Sequence, residues 1–361
     1  GDWSSDVCSS DLIWISSSRT PVPAAGEGGA LAPGLAEALD AVTQVRITGA
    51  GDTVLATLDR SDAGWTLAEK GGYPVDVEKL RGLLSAIAAA RRVEAKTAQP
   101  ERHAQLGVED VASADAHGVR VDIAMPAGTQ SLVFGDNLAR GTGTYVRPAD
   151  SPQSWLVGSN IAVERVPANW LVKRIVDVGA NSIVAITQTP ESGPAIELVR
   201  TTDDADSDFA FARLPRGRAP AEGHSREALA GALSGLAFED VFPAAEKPLP
   251  DALRRTRFVL DDGRSLELRS WQADGKTCAV FDMTLDEAAA QAYVERQRTM
   301  RAAAPDAEQG ADADADVVTL QSLAAEVAAF QRSHAGWVYV LPAFKASNLN
   351  KGLEDYLKPK G

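Results

Sequence analysis

Apolar and polar positions follow two different periods along this chain, and the switches between them divide it into elements. "VTQVRITG" (42–49), "TVLATLDR" (53–60) and "GWTLAEK" (64–70) are short, partly alternating and bounded by Gly or Asp, which predicts strands. "DVEKLRGLLSAI" (76–87) changes period. Leu80, Leu83, Leu84 and Ile87 fall at i, i+3, i+4 and i+7, which predicts a helix with one apolar face. Asp76 is placed to cap it, and Glu78 complements its positive start. A hairpin, "GVRVDIAMPAGTQSLVFGD" (118–136), and a closing strand within "TYVRPADSPQSWLV" (144–157) complete the series.

The series then returns. "SIVAITQT" (182–189), "AIELVRTT" (195–202) and "DFAFARLP" (208–215) read as three strands, "SREALAGALSGL" (225–236) as a helix, and "RTRFVLDDGRSLELRSW" (255–271) as a hairpin. Aligned without gaps, the two helical segments share Glu78/Glu227, Leu80/Leu229, Gly82/Gly231, Leu84/Leu233 and Ser85/Ser234. Ser225 takes the place of Asp76 as the expected cap. The expected fold class is α+β: two tandem β-β-β-α-β-β repeats, each a mainly antiparallel sheet packed with a helix. The strand that closes the second repeat lies in 277–283 or in 336–344.

These patterns set the expected domains: 42–163 as the first repeat, 164–178 as a connector and 179–361 as the second repeat. Trp170, Leu171, Ile175 and Val178 make the connector a buried segment rather than a loose linker. The second repeat carries a helical insertion at about 285–335. In it, "LDEAAAQAYVERQRTMRAA" and "VVTLQSLAAEVAAFQRS" read as helices around an acidic, Ala-rich middle expected to be mobile.

The start of the chain follows neither period. Residues 1–12 are rich in Ser and Asp and repeat one scrap as "WSSDV" and "CSSDL". They resemble translated sequencing-adapter DNA, so they are expected to be non-native; a disordered native terminus is the alternative. Residues 13–41 read as the remnant of a membrane anchor and its linker. Ile13, Trp14 and Ile15 precede a Pro/Gly-rich stretch, and Trp is enriched where membrane helices meet water. An isolated apolar scrap is the other reading of those three residues. Arg19 is the one basic residue between Ile13 and Val45, so this flank lacks the Lys/Arg excess of a cytoplasmic one.

Charge and chemistry narrow the function classes. The formal net charge is −14, which argues against nucleic acid as a partner. With Cys8 set aside, Cys278 stands alone and reads as a buried strand residue rather than a nucleophile. His103, His117, His224 and His334 do not fall at metal-ligand spacing, and surface or capping roles are expected of them. Asp312, Asp314 and Asp316 imitate a calcium loop, but Val317 and Leu323 replace the Gly and Glu it needs, so a solvated linker is expected. "TTDDADSD" (201–208) reads the same way. No catalytic, cofactor-binding or metal-binding residues are therefore assigned. "GDNLARGTGTYV" (135–146) lies between strands and lacks the Lys of a phosphate loop, so it reads as a wide β-loop. Arg140 with the backbone of Gly141 to Gly143 is the candidate ligand or partner site within it.

Taken together, "GYPVDVEKLRGLLSAI", "KTAQPERHAQLGVED", "FGDNLARGTGTYVR", "WLVGSNI" and "WLVKRIVDV" resemble the bacterial family called domain of unknown function 4340. The likeness covers most of Val42 to Leu349. It implies one N-terminal membrane helix, absent from this sequence, and a body facing the periplasm from the inner membrane. It also implies a neighbouring ABC-type export or gliding-like auxiliary membrane protein as partner. The family carries no assigned reaction or cofactor. Two expectations follow: a non-enzymatic envelope accessory or scaffold module, or a periplasmic ligand-binding module using an interdomain cleft or the loop 135–146.

Overall fold

The computed structural model describes residues 28–201, 208–303 and 317–359. The segments 1–12 and 13–15, the acidic turn at 202–207 and the linker at 304–316 lie outside the described residues. The mixture of helices with antiparallel sheet makes the protein α+β. Its contacts divide the chain into two units, residues 1–54 with 81–163, and residues 55–80 with 164–361.

In the first unit, β1 (Gln44–Gly49) pairs antiparallel with β6 (Val119–Met125), setting Val45 opposite Ile123 and Ile47 opposite Val121. All four side chains are buried, so the period-two pattern has become one inward face. β7 (Gly128–Asn137), β8 (Thr144–Pro148), β9 (Trp155–Val157) and β5 (Arg92–Ala95) extend the row to the order β1-β6-β7-β8-β9-β5. The stretch 144–157, expected as one strand, is thus two. Pro148 and Pro152 flank the break, and a ring that cannot donate an N–H interrupts the ladder. The incoming chain seals the outer edge of β5: Gly28 donates to the Arg92 carbonyl and Arg92 to that of Gly29.

Helix α1 (Val77–Ala89) crosses the division between the units. Lys79 N–H donates to Asp76 Oδ1 at its start, and Leu80, Leu83, Leu84 and Ile87 are buried, as their spacing requires.

In the second unit, residues 55–80 hold most of β2 (Thr53–Ser61), with β3 (Gly64–Leu67) and β4 (Tyr73–Pro74), joined as antiparallel ribbons. The connector contributes β10 (Arg174–Val176), which pairs with β14 (Leu236–Ala237). Trp170, Leu171 and Ile175 are buried, while Val178 is half-buried. The large sheet contains β11 (Ile183–Thr189), β12 (Ile196–Arg200), β13 (Phe209–Phe211), β15 (Asp240–Pro243), β16 (Arg254–Leu260), β17 (Arg264–Ala273), β18 (Lys276–Leu285) and β19 (Trp337–Val340). Their order is β13-β12-β11-β16-β17-β18-β19-β15. Both stretches that competed to close the unit, 277–283 and 336–344, therefore supply strands, with Cys278 opposite Val340.

The expected second helix is shorter than its sequence twin. α2 spans Ser225–Ala230 and tightens into a 3₁₀ turn at Gly231–Leu233. Ser225 is its first residue rather than its cap, which is His224 with no side-chain bond. Where α1 runs on through Ala86 to Ala89, this chain meets Gly235 with φ +54°, which stops a helix. α3 (Glu287–Ala303) and α4 (Leu320–His334) lie between β18 and β19 in sequence, and Ala290, Val294 and Leu323 form their shared core. Gly263, with φ +85°, lets the β16–β17 turn abut the start of α3, where a Cβ would run into Asp286 and Ala290 backbone. α5 (Ala343–Leu349) and the last turn bury Leu349 and Tyr356.

Candidate functional site

Three of the segments that carry the family likeness meet in the first unit. In "KTAQPERHAQLGVED", residues Pro100–Gln105 form a 3₁₀ turn. Leu106 and Gly107 then cross Gly118, just before β6, and Gly135 in β7, where the backbone carries no side chains. A Cβ on Gly118 would collide with the Gly107 carbonyl oxygen, and one on Gly135 with that of Leu106. Glycine is required at both positions by backbone approach rather than by torsion angle. Asp136 N–H donates to the Leu106 carbonyl at 3.0 Å and fixes the crossing.

Arg147 ties the same crossing to the end of β8. Its Nε donates to the Val108 carbonyl at 2.8 Å, and Nη1 reaches the carbonyls of Pro148, Ala149 and Ser151 at 3.1–3.2 Å. Burial pulls its pKa below the usual guanidinium value, with the Asp110 charge acting in the other direction. His103 is buried, with Nε2 2.8 Å from the Pro152 carbonyl oxygen, and His334 is buried in the second unit. Both depart from the surface or capping role expected of the histidines, because each ring has a hydrogen-bond partner inside the protein. His117 and His224 are exposed, and Cys278 is buried in β18.

The Gly-rich loop is held from beneath. Gly143 N–H donates to Asn160 Oδ1 at 2.7 Å, and Thr144 Oγ1 bonds Asn137 Oδ1 at 2.7 Å and the Ser159 carbonyl at 3.0 Å. Ile161 N–H returns a bond to Thr144 Oγ1 at 2.9 Å, so "FGDNLARGTGTYVR" and "WLVGSNI" make one clasp. Gly143 is buried against Val157 and Leu156, while Gly141 and Arg140 are exposed. Of the candidate trio, Gly143 therefore has its amide engaged by Asn160, and Gly141 and Arg140 face solvent.

Beside the crossing lies an open cleft of about 520 Å³ lined by Lys96, Thr97, Ala98, Gln99, Arg102, Gln105 and Leu106. Two cations line it and no carboxylate does. Lys96 Nζ pairs with Glu94 at 2.6 Å and lies 6.0 Å from the centre of the Tyr145 ring. Arg102 is exposed and has no ion-pair partner among the described residues. Sequence reading passed over this cleft because its residues follow neither period and form no motif. The available signal was a polar, non-periodic stretch with a Pro at its centre.

Among the described residues, no three His, Cys, Asp or Glu side chains stand together as a metal-binding group. No helix among them is long and apolar enough to cross a membrane. No curated protein and no solved structure matches the chain. Residues 65–255, more than half the chain, match the family model described as domain of unknown function (DUF4340), and the chain belongs to that family.

Proposed function

We propose that this protein is a non-enzymatic accessory or scaffold module of the cell envelope, built by tandem duplication and working by binding. One observation carries the duplication. Six strands run β1-β6-β7-β8-β9-β5 in one unit and β11-β16-β17-β18-β19-β15 in the other. Each strand has a counterpart at the same place, including β5 and β15, which leave chain order to end the row. The hairpins β2–β3 and β12–β13 correspond as well, and α1 and α2 lead towards β5 and β15. Strands that follow one another in sequence are usually neighbours in a sheet, so a shared departure from that order favours common descent. In this reading the repeats are 42–163 and 179–361, joined by 164–178, with α3 and α4 inserted in the second.

Fold alone assigns no activity, so the side chains must carry the rest. The buried polar groups of the family segments are engaged in holding strands and crossings together: His103 on Pro152, Arg147 on four carbonyls, Asn160 on Gly143. Exposed Arg102 and Arg140, with half-buried Lys96 beside the first, suit recognition of another molecule. Membership of the family supports an inner-membrane, single-pass protein with its body in the periplasm, partnered by an ABC-type auxiliary membrane protein. The second reading, a ligand-binding module using 135–146, is favoured by exposed Arg140 on a loop whose base is clamped by Asn160.

In-cell crosslinking followed by purification from membranes tests the proposal. A reproducible adduct with an ABC-type membrane component supports it. A protein recovered soluble and without adducts contradicts it.

A further inference from the structure

We propose that the cleft at 96–106 receives an acidic, extended segment of a partner protein. This rests on the reading of the protein as a binding module and names the chemistry of what is bound. In a chain of net charge −14, the cleft is lined by two cations and no carboxylate. Arg102 is exposed and offers a planar fork that matches a carboxylate in two bonds. Lys96 lies 6.0 Å from the centre of the Tyr145 ring and pairs with Glu94 at 2.6 Å, a carboxylate that an acidic segment would have to displace.

The neutral lining selects a peptide over other anions. Gln99 and Gln105 each present a donor and an acceptor, as a peptide backbone does. A phosphate or lipid headgroup has no use for the acceptors. Ala98 and Leu106 give apolar surface for the side chains between acidic residues. A densely charged polyanion would also meet the repulsion of the acidic body, which a short acidic segment meets far less.

The fold leaves these side chains available. In the same segment His103 bonds Pro152, Asp110 caps the Ala112 amide, Glu109 accepts from His117 N–H, and Leu106 to Val108 make the crossing. The Gln99, Arg102 and Gln105 side chains are what remains, and with the Glu94-paired Lys96 they line the cleft.

The test uses the full chain and an array of fluorescein-labelled ten-residue peptides bearing two to four Glu among Ala and Leu, with Gln-for-Glu controls. Anisotropy is expected to rise with at least one acidic peptide and with no control. Arg102→Ala and Lys96→Gln should each weaken binding about tenfold, and Glu94→Gln should strengthen it, because the competing carboxylate is gone. Unchanged melting temperatures confirm that these surface variants are folded. The proposal is overturned if no acidic peptide binds, or if binding ignores all three substitutions. It is also overturned if phosphatidylglycerol vesicles or inorganic phosphate bind through Lys96 and Arg102 while peptides do not. The subcellular location of the native protein is read separately, so peptide binding by a cytosolic protein would sink the envelope reading and leave this one standing.

Discussion

The hydroxyl of Tyr339 and Nδ1 of His334 share a buried hydrogen bond of 2.7 Å. The Ile175 backbone also acts on the imidazole, and the Tyr73 and Tyr339 hydroxyls act on one another. These polar groups lie on β4, β10, β19 and the end of α4, all in the second unit. The rings of Phe238 and Trp337 pack edge-on against Tyr73, at 5.4 and 4.9 Å.

Desolvation holds the His334 pKa down at about 4, against an ordinary 6.5. The neutral ring is the folded form, so below pH 6.5 the unfolded chain binds the extra proton. The contribution is complete above pH 6.5 and is lost as pH falls towards 4, with a span of about 3 kcal/mol. Hydrogen exchange at the β19 amides, corrected for intrinsic rate, should show protection falling between pH 7 and 4.5. His334→Gln should flatten that dependence. An equally steep loss in the variant would assign it to other groups.

Gly118→Ala and Gly135→Ala should each cost about 2–4 kcal/mol, because the new methyl meets a backbone carbonyl that cannot rotate away. Gly82→Ala is the opposite case. It lies exposed within α1 with open space around it, and should stabilise by about 0.5–1 kcal/mol. Thermal melts of the three variants against the parent chain check both signs.

Arg147→Lys should loosen the crossing although charge is kept. A lysine cannot reach Val108 and the Pro148–Ser151 carbonyls together. The expected cost is about 2 kcal/mol, with faster amide exchange confined to 106–108 and 148–154. Exchange unchanged at Val108 would remove Arg147 from this role.

Much of the fold was legible because it rests on local period. The strands β1, β2, β6, β7, β11, β16 and β17, and the apolar face of α1, follow from spacing that one inward face enforces. What stayed hidden depends on partners far along the chain. β4, β10 and β14 are two or three residues long, too short for any period to register. The burial of His334 follows from Ile175 and Tyr339, which no spacing in "FQRSHAGWVYV" announces. The C-terminal segment is fastened by Gln188 to the Leu349 carbonyl and by Arg218 to Glu354, contacts set by tertiary position alone. At the candidate site, the loop around Arg140 was visible as a glycine cluster. The cleft at 96–106 was not, because its residues are brought together by a non-periodic turn.

The most direct test of the envelope account is a pair of reporter fusions to the C-terminus of the native gene product. One reporter is active only in the periplasm and the other only in the cytoplasm, and membrane fractions are assayed alongside. The account predicts periplasmic activity and recovery with the inner membrane. Activity of the cytoplasmic reporter, or recovery of the native protein in the soluble fraction, would contradict it.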